Sequence, residues 1–162
     1  MSEYDTAQIC VNGHLINDMA SRYPQHNRKF CSKCGAETIT ACPQCRQPIR
    51  GFYHVDGVIG GSSIDVPAFC HECGRPYPWT QAALQAGRDL TYESIALNEN
   101  EKALLIKSLH ELVADTPQTP LAAARVKRLL AKAGPEIGAA LKQVVITVAS
   151  EAAKKILFGG TT

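Results

Sequence analysis

The sequence predicts an α+β protein, with small β-hairpins in the first half of the chain and helices in the second. All seven cysteines of the 162-residue chain lie between Cys10 and Cys73, where turn sequences such as VNGH and CPQC interrupt any helical pattern. The other half has no cysteine, is rich in Ala, Leu, Lys and Glu, and spaces its apolar residues as helices do. This shift in composition predicts one domain over residues 1–79 and an all-α C-terminal region over residues 80–162.

Short β-prone segments alternate with the turns of the first half. They cover residues 37–41, 49–55 and 66–69. No long amphipathic helix pattern separates them, so we expect β-hairpins rather than βαβ units.

The second half predicts four helices, the first of them short. This helix covers residues 80–88, and Gly87 near its end weakens the helical pattern. The second helix begins after Asn98, which together with Glu101 has the spacing of a capping box. It has to end before Pro117, because proline disrupts a helix interior.

The third and fourth helices are separated by a glycine and a proline. The third covers residues 119–134, with a threonine cap and a proline in the first helical position. The last is predicted as one continuous helix from 135 to about 158, stopped by Gly159 and Gly160. Its apolar residues nearly encircle it and lie at Ile137, Leu141, Val145, Val148, Ala152 and Ile156. Charged residues interrupt them, so the helix is too polar to span a membrane.

Four pairs of potential metal ligands lie in the first half. Three are CxxC steps, and the fourth is the cysteine and histidine of CVNGH. The pairs are Cys10 with His14, Cys31 with Cys34, Cys42 with Cys45, and Cys70 with Cys73. Zinc takes four ligands in a tetrahedron, and a CxxC turn supplies two of them from one direction. The eight residues fill two sites with no thiol left over, so we predict two structural zinc ions.

The four pairs can be joined in three ways. Sequential pairing joins the first with the second and the third with the fourth, whereas crossed pairing joins the first with the third and the second with the fourth. Nested pairing places the two central pairs on one metal. We favour sequential pairing, because its two loops are of moderate length and segment 37–41 reads as a strand between two sites.

Closed metal sites argue against catalysis. With four protein ligands each, neither zinc keeps an open position for water or substrate, so we expect no enzymatic activity. A redox role is disfavoured because no βαβ pattern surrounds a CxxC step. An iron–sulfur cluster is disfavoured because His14 belongs to the ligand set. The N-terminus MSEYDTAQIC lacks the features of a secretory signal, and we therefore expect a reducing, cytoplasmic location.

Other chemistry-bearing residues have simpler interpretations. His26, His54 and His71 are interpreted as solvated surface side chains. The aromatic residues are expected to cover the hairpins rather than to stack on bases; they are Phe30, Phe52, Tyr53, Phe69, Tyr77 and Trp79. The one basic cluster identified is interpreted as the solvent face of the third helix and consists of Arg125, Lys127, Arg128 and Lys132.

The charge of the first half disfavours binding to a phosphate backbone. Up to Thr80 it has seven basic and seven acidic residues, within a chain of formal net charge +2. A zinc with three thiolates and an imidazole adds about −1, and one with four thiolates adds about −2. The metal-loaded half is therefore expected to be acidic.

The ligand motifs CVNGH, FCSKCG, CPQCR and FCHECG occur in that order, followed by PYPWT and a tail ending ASEAAKKILFG. In this order the whole chain resembles an uncharacterised bacterial family, a domain of unknown function with tandem zinc ribbons. The resemblance implies ligand roles for all eight residues of the four pairs, in a bacterial protein. It implies no activity.

These observations favour a non-catalytic interaction or adaptor protein. Its zinc ribbons would bind a protein partner, and its helical tail would mediate docking or self-association as a homo-oligomer. The alternatives are nucleic-acid binding, which many zinc ribbons perform, and attachment to a membrane surface through Lys142, Lys154 and Lys155 of the last helix.

Overall fold

The computed structural model describes residues 2–61 and 63–159. The chain divides into two compact units, one ending at Gln81 and the other beginning at Ala82. Every strand that the described residues form lies in the first unit, whereas the second unit is helical. The fold is therefore α+β, as predicted.

The strands of the first unit are short and antiparallel. Five are found among the described residues: β1 (Glu3–Thr6), β2 (Gln8–Cys10), β3 (Leu15–Asn17), β4 (Thr38–Ile39) and β5 (Arg50–His54). Strands β1 and β5 form one sheet, and the order in the other is β3-β2-β4. The predicted segments 37–41 and 49–55 contain β4 and β5. The prediction missed β1, β2 and β3.

The predicted strand at residues 66–69 is wrong. The carbonyl of Pro67 accepts a hydrogen bond from Trp79 Nε1 at 2.8 Å, and that of Ala68 accepts one from Thr80 Oγ1 at 2.9 Å. Proline has no N–H to donate to a ladder, so the segment is held by side chains of the following helix instead.

A small core fills the first unit. Its buried residues are Ala7, Ile9, Cys42, Ile49, Cys70, Tyr77 and Trp79. The rings of Tyr77 and Trp79 are stacked with their centroids 4.6 Å apart. Two predicted metal ligands, Cys42 and Cys70, belong to this core, whereas Cys34 and Cys73 are exposed.

In the described part of the chain five α-helices follow: α1 (Pro78–Glu93), α2 (Glu99–Val113), α3 (Thr119–Lys132), α4 (Pro135–Val148) and α5 (Glu151–Phe158). Helix α1 is longer than the predicted segment 80–88. Gly87 lies in the interior of this helix. A Cβ at this position would come within 3.1 Å of Leu109 Cδ1 and 3.2 Å of Val144 Cγ1. The glycine therefore permits close packing instead of ending the helix.

The capping box of the second predicted helix is present. Glu101 N donates to Asn98 Oδ1 at 3.0 Å, and Asn98 N donates to Glu101 Oε2 at 3.1 Å. These two backbone N–H groups have no partner within the helix and each donates to the side chain of the other residue. The spacing of the two residues predicts this arrangement.

The prediction of one continuous last helix is wrong. The chain is extended at Ala149 and Ser150, and Ser150 N donates to Leu112 O at 2.8 Å. Ser150 Oγ then accepts from Ala153 N at 3.2 Å and caps α5. Gly159 ends α5 at a φ of 72°, whereas Gly160 lies outside the described residues.

The second unit has an apolar core of its own. Its large, fully buried members are Leu105, Leu109, Leu112, Val126, Leu129, Leu141 and Val145. Ile156, one of the apolar residues of the predicted last helix, is exposed. Within the described ranges, no helix has both the length and the apolar character needed to cross a membrane.

Candidate metal centres

The eight predicted ligand residues converge in two groups of four. The first group contains Cys10, His14, Cys31 and Cys34, and the second contains Cys42, Cys45, Cys70 and Cys73. In each group the ligand atoms lie within 4.8 Å of one another. This arrangement is the sequential pairing. The seven cysteines form no disulfide.

The three CxxC steps share one local architecture, which we call the knuckle. An isolated antiparallel bridge closes each knuckle, between Phe30 and Glu37, Ala41 and Pro48, and Phe69 and Pro76. In each, the N–H four residues after the first cysteine donates back to the carbonyl of that cysteine, at 2.8 to 2.9 Å. This bond folds the chain so that both sulfurs of a step point the same way.

The residue that donates this bond has left-handed backbone geometry in all three knuckles. Gly35 and Gly74 have φ of 71° and 70°, and Arg46 has φ of 67°. Glycine adopts this geometry without strain, whereas a side chain crowds the backbone. The middle knuckle is thus the strained member of the three.

The fourth pair is positioned by a different turn. Gly13 N donates to Cys10 O at 2.8 Å and has a φ of 91°. A Cβ on Gly13 would lie 3.0 Å from Trp79 Cβ. Glycine is therefore required at this position for two reasons: its positive φ and the close approach of the Trp79 side chain. The turn leaves His14 beside Cys10, just before β3.

The distances in the first group fit a tetrahedral zinc site. Cys10 Sγ lies 3.8 Å from Cys34 Sγ, and His14 Nδ1 lies 3.4 Å from Cys10 Sγ and 3.5 Å from Cys31 Sγ. Bond lengths of about 2.3 Å to sulfur and about 2.0 Å to nitrogen give tetrahedral edges of roughly 3.8 Å between sulfurs and roughly 3.5 Å between sulfur and nitrogen. The donor set and its spacing both match.

The second group consists of four thiols with the same spacing. Cys42 Sγ lies 3.9 Å from Cys73 Sγ, and Cys45 Sγ lies 3.7 Å from Cys70 Sγ. Both values are close to the tetrahedral edge of about 3.8 Å for zinc thiolates. The two groups could thus hold one metal ion each, a Cys₃His site and a Cys₄ site.

Hydrogen-bond donors surround the sulfurs of the first group. His14 N donates to Cys10 Sγ at 3.3 Å, and Lys33 N donates to Cys31 Sγ at 3.4 Å. The side chain of Asn12 donates to Cys34 Sγ at 3.4 Å. This amide, helped by a backbone N–H of Ala36, lowers the pKa of the Cys34 thiol to about 6. Such donors stabilise a thiolate, which is the form that binds metal.

Tyr77 lies beside the second group as a neutral phenol. Burial raises the pKa of Tyr77 above its ordinary value, and a hydrogen bond to Cys70 raises it further. A protonated hydroxyl next to a thiolate donates to the sulfur without adding negative charge. The buried phenol is therefore suited to supporting a Cys₄ site.

The arrangement is that of structural metal sites. Four protein donors complete each tetrahedron, which leaves no coordination position for substrate. A bound ion would supply cross-links between segments far apart in the chain, and the residues themselves orient the sulfurs through the knuckles.

A protein family described as "Uncharacterized protein conserved in bacteria (DUF2321)" matches residues 3–157. The chain belongs to this family. The match includes both ligand groups and all five helices almost to the end of α5, so the two units occur together in the family. No curated protein and no solved structure matches the chain.

The other histidines have two different environments in this family member. His26 and His71 are exposed, as expected. His54 is not a solvated surface residue. Its Nε2 lies 3.6 Å from the buried carboxylate of Asp5, and its ring packs edge-on against Phe52 with centroids 5.0 Å apart. This environment depends on the pairing of β1 with β5, which brings distant segments together.

The expectation that the aromatic residues cover the hairpins holds for some of them. Tyr77 and Trp79 are buried, whereas Phe30, Tyr53 and Phe69 are 51%, 46% and 38% exposed. Phe30 and Phe69 flank knuckles and stay partly exposed, whereas the ring of Tyr53 in β5 packs against that of Tyr4 with centroids 4.6 Å apart.

The sequence analysis overlooked a second basic cluster. We define the basic segment as residues 26–33, which contains His26, Arg28, Lys29 and Lys33. The run HNRKFCSK was the available signal.

Proposed function

We propose that the chain is a non-catalytic zinc-binding interaction protein, with the N-terminal unit as the part that presents a rigid surface to a protein partner. The observation that carries this proposal is the presence of two complete groups of four ligand atoms with tetrahedral spacing. Because both sites are filled by side chains, the metals act on the fold rather than on a substrate.

The small size of the first core supports a structural role for zinc. Among the described residues, seven buried ones form this core, and two of them are cysteines. Small units of this kind rarely bury enough apolar area to fold unaided, and a structural metal supplies the missing free energy. A stapled surface of this kind changes little in shape on binding, which suits recognition.

A groove with exposed aromatic side chains supports protein binding. It has a volume of about 260 Å³ and is lined by Tyr4, Arg50 and Phe69 among other residues. The Arg50 guanidinium lies 4.7 Å from the ring centroid of Tyr4, whose ring in turn lies 4.6 Å from that of Tyr53. Tyrosine and arginine are enriched at protein interfaces and at their energetic centres.

The helical unit carries the docking or self-association part of the proposal. Ile146 of α4 and Ile156 and Phe158 of α5 are large apolar side chains that remain exposed. A contact that covered them would bury apolar area at little entropic cost, since they are fixed on helices.

The contacts made by lysines of the last two helices do not favour attachment to a membrane surface. We propose no such attachment. Lys142 lies over the ring of Phe158 at 5.6 Å, and Lys154 pairs with Glu151 at 3.0 Å. Both cations are engaged by neighbouring side chains rather than directed to anionic lipid.

The closed coordination can be tested with cobalt. Cobalt(II) replaces zinc in tetrahedral sites and absorbs visible light according to its ligands. We expect the spectrum of the cobalt-loaded chain to remain unchanged when azide is added, because no position is open. A change in the visible bands on titration would show an exchangeable position and would contradict a purely structural role.

Self-association can be tested by sedimentation velocity over a range of concentrations. We expect the wild-type chain to form dimers. Ile156→Glu should disrupt them, because it would bury a charge in the contact. Ala103→Glu, at an exposed position of α2, is the control and should leave the dimer intact. A wild-type chain that remains monomeric at high concentration would refute this part.

A further inference from the structure

We propose that a cavity beside the first ligand group binds the phosphate group of a nucleotide. The cavity has a volume of about 270 Å³, and the basic segment forms much of its wall. His26, Arg28, Phe30 and Lys33 line it together with the ring of His14. This inference goes beyond the proposed function, because it assigns a small-molecule site to a unit otherwise described as a protein-binding surface.

The charge of the cavity has one sign. None of its lining residues is acidic. Among the residues that the structure describes, no carboxylate forms an ion pair with Arg28, Lys29 or Lys33. Glu37 faces Phe30 across the bridge of the first knuckle but does not line the cavity. Arg28 and Lys33 thus line one concavity without a carboxylate partner among the described residues, which favours binding of an anion.

The local charge is not a consequence of the charge of the whole unit. Seven acidic residues balance seven basic ones up to Thr80, and bound zinc would make the unit acidic. The positive cavity is therefore a local exception. A diffuse basic face would attract any polyanion, whereas this arrangement concentrates positive charge where a single phosphate fits.

Buried polar side chains hold the cavity wall in place. Gln8 donates to Arg28 O and accepts from Arg28 N, both at 2.9 Å. Asn17 donates to Asn27 Oδ1 at 2.7 Å. Gln8 and Asn17 are themselves buried. The backbone around Arg28 is thus fixed before any ligand arrives, which lowers the entropic cost of binding.

Arg28 is oriented by its own hydrogen bonds. Its Nη1 donates to Gln25 O at 2.9 Å and to Asn27 O at 2.8 Å. These bonds occupy one of the two terminal nitrogens, so Nη2 and Nε are left as charged donors. A guanidinium held in this way is suited to a phosphate oxygen.

His14 supplies a further donor. Its Nδ1 faces the sulfurs of Cys10 and Cys31, and His14 is also one of the residues that line the cavity. When Nδ1 binds a metal, Nε2 carries the proton and donates. No described residue accepts a hydrogen bond from Nε2. A phosphate oxygen in the cavity would be an acceptor for it.

Phe30 indicates that the phosphate belongs to a nucleotide. Its ring is half exposed at the cavity wall, and the Lys29 ammonium lies 5.4 Å from its centroid. An exposed aromatic ring next to cations is the usual partner of a nucleobase, since every base can stack on it. The shared chemistry is a nucleoside monophosphate, either free or within a single-stranded chain.

The test is titration of the zinc-loaded full chain with inorganic phosphate, adenosine monophosphate and a short single-stranded oligonucleotide, by calorimetry and amide chemical shifts. We expect saturable binding of the monophosphate, with shifts in residues 26–33, at least about tenfold tighter than inorganic phosphate. Equal affinities for adenosine monophosphate and inorganic phosphate would refute the nucleotide assignment. If neither of these two ligands bound, the site itself would be refuted. Tighter binding of the oligonucleotide identifies a nucleic-acid strand as the source, whereas tighter binding of the free monophosphate identifies a free nucleotide.

Variants distinguish binding in this cavity from non-specific attraction of the phosphate to positive charge elsewhere on the protein. Lys33→Gln should weaken monophosphate binding about tenfold, and Arg28→Gln should do the same, because each removes a charged donor. Lys127→Gln on α3 removes the same charge from an exposed position and should change nothing. Equal losses in all three variants would contradict the proposal. Phe30→Leu should weaken the monophosphate but not inorganic phosphate.

Metal content keeps this test independent of the proposed function. Lys33 makes no side-chain hydrogen bond or ion pair with the described residues, so Lys33→Gln should retain the wild-type zinc content. A variant that keeps its zinc and still binds the monophosphate as the wild type does would overturn the phosphate site alone. If the wild-type chain bound no zinc, the structural role of the metal would be overturned, but the phosphate site would not.

Discussion

Arg46 occupies a backbone position that its two counterparts fill with glycine. Its N–H donates to Cys42 O at 2.9 Å, as Gly35 and Gly74 do to their own cysteines. The left-handed geometry costs a residue with a side chain about 1 kcal/mol. The second ligand group therefore contains a local strain that the first group lacks.

We expect Arg46→Gly to stabilise the zinc-loaded N-terminal unit by about 1 kcal/mol, because the strain at the left-handed position is relieved. The urea midpoint of the fluorescence of Trp79, the single tryptophan, measures this. Gly35→Ala is the matched control and should destabilise by a similar amount, since nothing within 4 Å opposes its Cβ and only the backbone is affected. A lower midpoint for Arg46→Gly would contradict the account.

Glu101 gives a prediction about pH. A hydrogen bond donated by Lys132 Nζ at 2.6 Å, followed by one from Asn98 N, holds the pKa of Glu101 below its usual value. The folded pKa lies below the unfolded one, so the contribution of Glu101 to stability is present above the unfolded pKa and is lost as pH falls through the folded pKa. Lys132→Met should move the pKa of Glu101 up towards its ordinary value in a carboxyl NMR titration, and Lys127→Met should not. An unchanged value in Lys132→Met would contradict the assignment.

At the residue level, the sequence predicts local chemistry better than environment. The spacing of the cysteines indicates which side chains can converge, because each knuckle closes within a few residues. The surroundings of His54 could not be predicted in this way, because Asp5 reaches it only through the pairing of β1 with β5. The exposure of Phe30 likewise depends on how little of the fold covers the first knuckle.

Among the elements, those with local start and stop signals were predictable. The capping box before α2 and the prolines at the starts of α3 and α4 mark their boundaries. Strands β1, β2 and β3 have three or four residues each and pair through contacts that no short pattern reveals. Gly87 misled the prediction for α1, because its reason for being glycine is the approach of Leu109 and Val144.

The break between α4 and α5 depends on Ser150. We expect Ser150→Ala to lower the stability of the helical unit by about 1 kcal/mol, because Ala153 N loses its cap. Hydrogen exchange of the α5 amides should accelerate accordingly. Thr147→Ala removes a hydroxyl that bonds only within α4 and serves as the control, with no acceleration expected. Equal exchange in wild type and Ser150→Ala would show that the cap does not stabilise α5.

For the whole molecule, the two units differ in what stabilises them. The first has a small core that includes cysteines, and the second has a leucine-rich core without any predicted metal ligand. Each unit has its own core, and the division lies between Gln81 and Ala82, so we expect the two to unfold separately.

We expect a strong chelator to unfold the N-terminal unit and leave α2 to α5 folded, because both candidate metal sites lie in the first unit. Circular dichroism at 222 nm should fall only slightly while the fluorescence of Trp79 changes fully. Readdition of zinc provides the control and should restore the fluorescence. Loss of most of the helical signal together with the fluorescence would contradict independent stability.

The central claim is that the eight ligand residues hold two structural zinc ions, one in the Cys₃His group and one in the Cys₄ group. Elemental analysis of the purified full chain tests this most directly. The account predicts two zinc ions per chain, and Cys42→Ser or Cys73→Ser should lower the zinc content and unfold the N-terminal unit. A wild-type chain with one zinc ion or none, or with iron in place of zinc, would contradict it.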